Sequence, residues 1–278
     1  PATVEFPTLE TIQIVLLAIV QGFSELLPIS SSGHLVLTPL VLGYELQSLA
    51  FDVALHLGTL AAVMAYFYRD ILAMLGAFGT SLVQRRITSP EAGLAWMILI
   101  ATLPVVILGL PLKTLLEWLR ADAGLITLII AGNIIGYGLL LWIADRLGRR
   151  NRDEFSLGWR QALIIGTCQA LAIIPGTSRS GITMTAALFL GLTRKAAARF
   201  SFLLSIPAIL MAGGLEGLEL IQSPEPVDWQ PFWLGGLIAF GVAYLTIHFF
   251  LRFIERIGML PFVIYRLLVG GLIILLLV

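Results

Sequence analysis

A single cysteine, Cys168, and only three histidines occur in 278 residues, and charge is nearly as sparse, with 17 basic and 17 acidic side chains making 12% of the chain. One cysteine excludes an internal disulfide and a cysteine-built metal site, and the thiol reads as inert packing. So little charge, beside 58% hydrophobic residues and a mean hydropathy of +0.96, excludes a soluble domain of this length. A formal net charge of zero gives no expectation of a nucleic-acid partner. Apolar stretches of about 20 residues, each long enough to cross a hydrocarbon core, recur along the whole chain. The sequence therefore predicts an all-α polytopic membrane protein. The stretch from Thr11 to Leu27 is read as mature structure and not a signal peptide, because Gln21 and Glu25 interrupt it and no basic residue precedes it.

Apolar runs between charged or Pro/Gly-rich breaks place full spans at 48–68, 92–111, 123–144, 197–215, 231–251 and 260–278. Two further stretches, 9–43 and 159–191, are long enough to cross but are broken midway by polar, turn-forming clusters. These clusters are Pro28-Ile29-Ser30-Ser31-Ser32-Gly33-His34 and Pro175-Gly176-Thr177-Ser178-Arg179-Ser180-Gly181. Irregular backbone at membrane depth survives only where protein or a watery cavity covers it, so each stretch is read as a re-entrant hairpin.

With hairpins counted as non-crossing, one side collects fourteen of the 17 basic residues, among them Arg69, Arg146, Arg194, Arg199 and Arg266. The other side receives only Lys113 and Arg120, together with an acidic loop carrying Glu216, Glu219, Glu225 and Asp228. By the positive-inside rule the basic side is cytoplasmic, and the first hairpin enters from outside. A shift of 148 residues lays Gln21 on Gln169, Ser30 on Ser178, Ser32 on Ser180, Gly33 on Gly181 and Gly43 on Gly191. Each half, 1–146 and 147–278, is then a hairpin plus three spans. Three is odd, so the halves form an inverted-topology repeat with the two clusters meeting near the midplane. Glycine-rich stretches at 132–138 and 235–241 allow close helix contact within the monomer or across a homodimer.

The chemistry concentrates at the breaks. Gln21 and Glu25, four apart, share one helix face, and Pro28 ends that helix just before the serines. An ionisable group at this depth marks a site by default. Ser30, Ser31 and Ser32 can cap the helix that follows. A serine near His34 and Glu25 also offers nucleophile, base and orienting carboxylate. In the second cluster Thr177, Ser178, Arg179 and Ser180 stand directly before a helix, so hydroxyls, backbone N–H groups and the positive end of the helix dipole converge with a guanidinium. That combination is an oxyanion cradle, with Thr183 one turn along, and a bound anion accounts for Arg179 better than a structural ion pair with Glu25. His56, four residues after Asp52, is read equally as cavity lining or as a partner of Asp52. Glu216 and Glu219 are read as a solvated face and His248 as structural.

The two clusters resemble the undecaprenyl-diphosphate phosphatase family linked to bacitracin resistance, over essentially the whole chain. The family's glutamate-rich motif matches Gln21-Gly22-Phe23-Ser24-Glu25 and runs on to His34, and its second motif matches Pro175 to Ser180. The resemblance implies hydrolysis of a polyprenyl diphosphate lipid to its monophosphate in the bacterial inner membrane, at a site facing the periplasm. It implies a divalent cation, Mg2+ or Ca2+, held by Glu25 with Gln21 beside it. It also implies attack served by Ser31 and His34, and diphosphate binding by Arg179 with Ser30, Thr177, Ser178, Ser180 and Thr183. Gln21 departs from the pattern, since many relatives carry a second glutamate there; an amide can still coordinate. Two other classes compete. Paired broken helices are also a transporter layout, which would carry the lipid intact. The type 2 phosphatidic acid phosphatases share a Ser-Gly-His turn, but they require a histidine soon after the serine-arginine pair, and here none follows before His248.

Overall fold

The computed structural model describes residues 11–43, 48–120, 123–222 and 229–277. Two short helices open it, α1 (Thr11–Ser24) and α2 (Ser31–Leu42), followed by α3 (Leu49–Tyr66) and α4 (Tyr68–Gln84). The long helices α5 (Pro90–Arg120) and α6 (Ala123–Leu147) complete the first half. A second pair of short helices, α7 (Trp159–Ala170) and α8 (Arg179–Phe189), leads into α9 (Arg194–Gln222), α10 (Trp229–Ile257) and α11 (Leu260–Leu277). The expected acidic loop residues Glu225 and Asp228 lie outside the described residues.

Among the described residues four helices, α5, α6, α9 and α10, are long and apolar enough to cross a membrane. The expected span at 48–68 is filled by α3, and α4 leaves its end at a 76° bend. As a bent pair they make a fifth candidate. The helix α4 escapes a reading based on apolar runs because it is amphipathic. Arg69 and Asp70 break its hydropathy, while it exposes Leu72, Leu75 and Val83, buries Met74, and is held to α5 by the indole N–H of Trp96 on Ser81 Oγ at 3.0 Å. The sixth expected span, 260–278, is α11, an apolar helix.

The two broken stretches share backbone detail as well as residues. Both second helices begin 148 residues apart, at Ser31 and Arg179. The residue before each second helix is a serine at positive φ, Ser30 at 78° and Ser178 at 70°. Gly43 and Gly191 close the two stretches at φ 71° and 92°. A left-handed conformation costs a non-glycine residue about 1–2 kcal/mol, so two serines holding it at matching points mark turns fixed by their surroundings.

Packing interlocks the halves. The first short helix α1 lies on α10 and its counterpart α7 on α5, while α3 also packs on α10, α9 on α5 and α6 on α11. Of the four crossing helices α9 is the most enclosed, 61% of its apolar window being buried against 39% or less for the others, so it forms the centre. Glycines permit the close approaches. A Cβ at Gly166 would land on the Ala101 carbonyl of α5, and one at Gly58 on the Gly236 carbonyl of α10. Gly166→Ala is expected to destabilise the fold by about 1–3 kcal/mol through overpacking against rigid backbone. Gly76→Ala, in open space on α4, should be neutral or slightly stabilising. Thermal unfolding in detergent separates the two. The glycine-rich stretches divide their roles. Gly138 and Gly235 pack inside the monomer against Arg266 and Phe51, and Gly132, Gly136 and Gly241 face nothing within 4 Å.

Ion pairs gather the helix ends on the basic side. Arg194 grips Asp145 through two bonds, Nε to Oδ1 at 2.6 Å and Nη2 to Oδ2 at 3.0 Å, and also donates to the Glu255 carbonyl. Arg199 bridges Asp70, at 2.8 Å, and Glu154. Arg266 corrects the charge count: it is not a loop residue of the basic side but a side chain 1% exposed inside α11.

Candidate active site

Each broken stretch turns where its first helix runs out of hydrogen bonds. After α1 the chain turns through Leu26 to Ile29, and Glu25 still donates its N–H to the Gln21 carbonyl at 3.0 Å. After α7 a single 3₁₀ turn, Leu171–Ile173, leads into Pro175 and Gly176. Ser178 caps α8 by accepting the Gly181 N–H at 3.1 Å. The two turns are bonded to each other. Ser180 Oγ donates to the Leu27 carbonyl at 2.7 Å, and Asn133 of α6 donates to the Pro175 carbonyl at 3.0 Å. Arg266 is the clamp: its guanidinium donates to the carbonyls of Pro28, Gly176, Thr177, Asn133 and Ile134 at 2.8–3.3 Å. A charge buried without a carboxylate is tolerated here because five backbone dipoles solvate it.

Glu25 is the hub of the arrangement. Its Oε2 accepts Ser31 Oγ–H at 2.6 Å and Gln21 Nε2–H at 3.2 Å, and its Oε1 accepts Arg179 Nη2 at 3.1 Å. His56 stands nearby, with Nε2 3.9 Å from Oε2, too long for a hydrogen bond but within ion-pair range when the ring is protonated. Its Nδ1 donates to the Asp52 backbone carbonyl at 2.8 Å, which fixes the ring. Arg179 also reaches the Ser201 carbonyl of α9 at 3.3 Å. Beside this hub lies a cavity of about 240 Å³, walled by Glu25, Ser31, Ser32, Ser178 and Arg179 from the two turns. Gln169, His56 and Glu216 add polar groups to the wall, and Val105, Ile173 and Ile209 add apolar ones.

Four of the predicted site residues therefore share the cavity: Glu25, Ser31, Ser178 and Arg179. Others support its wall. Gln21 is fully buried and turned onto Glu25, Ser30 and Thr177 are buried in the two turns, and Ser180 ties them together. Thr183 shares a 2.7 Å hydrogen bond with Ser201 and donates to the Arg179 carbonyl, so it fastens α8 to α9 behind the cavity. His34 departs from expectation. It does not stand at the Ser31 hydroxyl, because its Nδ1 donates to the Ser30 carbonyl and its Nε2 takes the Tyr265 hydroxyl, both at 2.6 Å. Arg179 is ion-paired with Glu25, the arrangement that the sequence disfavours. Glu216 is a correction too: it lines the cavity and is not part of a solvated face. Glu216 and Arg266 each carry a signal in the sequence, a charge inside an apolar helical run.

Among the described residues no three His, Cys, Asp or Glu side chains gather closely enough to form a metal site of their own. A magnesium ion does not need that many, since it keeps several waters and binds through one or two carboxylates plus substrate phosphates. Glu25 fits such a role.

Fold and cavity together define an all-helical integral membrane protein, among the described residues, with a polar pocket sunk between broken helices. The chain belongs to the family described as Bacitracin resistance protein BacA, which matches residues 14–272. It is 51% identical over 271 residues to Undecaprenyl-diphosphatase 2 of Stutzerimonas stutzeri, a match covering 96% of this chain and 98% of that protein. It is 52% identical over 265 residues to Undecaprenyl-diphosphatase of Nitrosococcus oceani, covering 95% and 98%.

Proposed function

We propose that this chain is an integral membrane phosphatase that hydrolyses undecaprenyl diphosphate to undecaprenyl phosphate and inorganic phosphate. It thereby recycles the lipid carrier of wall-polymer synthesis and confers bacitracin resistance. The observation that carries the mechanism is the 2.6 Å bond from Ser31 Oγ to Glu25 Oε2 in the wall shared with Arg179 and the first turn of α8. Glu25 takes the Ser31 proton as Oγ attacks the terminal phosphorus. The bridging P–O bond breaks, undecaprenyl phosphate departs, and water then cleaves the phosphoserine to release phosphate. Arg179, Ser178 and the α8 N-terminus hold the terminal phosphate oxygens, and Arg179 exchanges part of its bond to Glu25 for the phosphate as substrate enters. A divalent cation, Mg2+ or Ca2+, would be held by Glu25 and would supply charge neutralisation for the phosphate. His56 and Glu216 line the path to Glu25. Ser30, Thr177, Ser180, Thr183 and His34 act by holding the turns, and Gln21 by orienting Glu25.

One feature supports the lipid part of the reading. An apolar groove of about 520 Å³, walled by Phe23, Leu27, Phe249 and Phe253, begins at the turn that carries Glu25 and suits a prenyl tail. The cavity wall on α9 runs from Ala208 to Glu216, and Arg199 of the basic ion-pair knot lies up to 17 residues earlier, about 25 Å at the helical rise. With the basic side cytoplasmic, the cavity opens to the periplasm of a bacterial inner membrane. The shared turn geometry and the interlocked packing favour re-entrant hairpins in an inverted-topology repeat, 1–146 and 147–278. Gly132 and Gly136, one turn apart on α6 with open space before them, offer a second copy room for a homodimer.

The test is phosphate release from a C55 prenyl diphosphate by the purified protein in detergent with Mg2+ or Ca2+. Release without a membrane, with a phosphate label trapped on Ser31, is the expected result. A folded protein that releases none with any divalent ion refutes the hydrolase and leaves transport to be tried.

A further inference from the structure

Positions 21 and 169, related by the 148-residue shift, both hold glutamine, but the two amides are held differently. Gln21 is fully buried and spends its Nε2 on Glu25. Four residues after Gln169 the chain has Ile173 where the first stretch has Glu25, so the matching partner within the helix is gone. Gln169 is 2% exposed, and neither its Oε1 nor its Nε2 has a hydrogen-bond partner. It nevertheless forms part of the cavity wall with Ser31, Ser178 and Arg179. A buried amide with both ends unpaired is rare and disfavoured by the full desolvation of each group, unless something bound in the cavity satisfies it.

We propose that Gln169 is a further substrate-binding residue, whose Nε2 donates to a phosphate oxygen of the bound diphosphate while Arg179 holds the same headgroup. The assignment rests on the reading of the cavity as a lipid-diphosphate site. An anion is the partner the surroundings favour, because Arg179, the Ser178 hydroxyl and the α8 N-terminus already turn that wall into a donor surface. A neutral amide adds two N–H donors there without adding charge, and its Oε1 remains free for a protonated phosphate oxygen or a water. Loss of the glutamate at the position four residues after Gln169 is what releases this amide for the ligand. The two stretches thus divide the work: the first supplies the carboxylate, the second supplies donors.

The experiment uses the full chain in detergent, with Gln169→Leu and Gln169→Glu, and inorganic pyrophosphate with magnesium as a probe that needs no turnover. Gln169→Leu should unfold at the parent's temperature or above, since it removes an unsatisfied amide. Its kcat/KM on undecaprenyl diphosphate should fall about tenfold or more, the size of a lost hydrogen bond to a charged group, and its stabilisation by pyrophosphate should shrink. Gln169→Glu should lose more of both, because it sets a carboxylate against the anion. An unchanged kcat/KM and an unchanged pyrophosphate response in Gln169→Leu overturn the proposal, as does a Glu variant that binds as well as the parent. A Leu variant that loses stability along with activity shows a structural amide and also overturns it. Should the parent bind pyrophosphate through Gln169 and yet release no phosphate from the lipid, the contact stands and the hydrolase reading alone falls; a parent that does neither sinks both.

Discussion

Glu25→Gln is expected to lower the kcat of phosphate release by about 100-fold or more, the usual contribution of a positioned base, with the protein still folded. The amide keeps the size of the carboxylate and can still accept the Ser31 hydroxyl, but it cannot take the proton, and it no longer offsets Arg179. Buried ion pairs broken from one side lose about 3–5 kcal/mol. Both partners are mostly buried here, Arg179 at 14% and Glu25 at 7% exposure, so the unfolding temperature should fall as well. Arg179→Gln should show the mirror image, with activity lost because the phosphate loses its planar, two-pronged donor. The informative variant carries both changes. Removing the pair together should restore much of the stability and none of the activity, because stability depends on charge balance while the reaction needs each group separately. A Glu25→Gln protein keeping more than a tenth of the parent kcat would rule out Glu25 as the base.

Arg266→Met is expected to abolish recovery of folded protein in detergent. The methionine side chain has similar reach and no polar contact, so the turn carbonyls of Pro28, Gly176 and Thr177 lose their donor at once, while those of Asn133 and Ile134 keep the helical bonds of α6. Each unsatisfied buried group costs about 1–3 kcal/mol, and relief of the buried charge returns only part of that. The net loss is a large share of the whole stability of an ordinary domain, about 5–15 kcal/mol. Arg266→Lys, with three donors on a flexible stem, should fold partly and lose activity, since the Pro28 and Gly176 turns would no longer be held at a fixed distance. Size-exclusion profile and thermal unfolding distinguish these outcomes. A Met variant that folds and works like the parent would remove Arg266 from any role in setting the site.

Membrane class, helical content and the place of the two turns are legible in the chain because bilayer chemistry is severe. Apolar length has one main use in a protein, and polar clusters such as Ser30 to Ser32 or Thr177 to Ser180 survive inside apolar stretches only where the backbone breaks under cover. The helix α4 is hidden from a search for apolar runs because an amphipathic helix carries its signal in periodicity and not in run length. Arg266 stands close enough to a span boundary to pass for a loop residue, although it lies well inside an apolar run. Glu216 passes for a solvent-facing residue for the same reason. Charges near span ends usually mark orientation, and these two belong to the interior instead.

The sequence by itself determined the class, the family resemblance and the identity of the chemical groups, because a carboxylate, a serine and an arginine at membrane depth are too unfavourable to be incidental. Only the tertiary structure decided which of them meet. Glu25 and Arg179 are 154 residues apart in the chain and 3.1 Å apart in space, His34 is drawn off to Tyr265, and His56, Gln169 and Glu216 enter the cavity wall from three different helices. Sequence spacing fixes neighbours within one helix, at three and four residues. Which helix faces which is set by glycine contacts and by Arg266 holding two turns together, and that information is spread over residues with no local pattern.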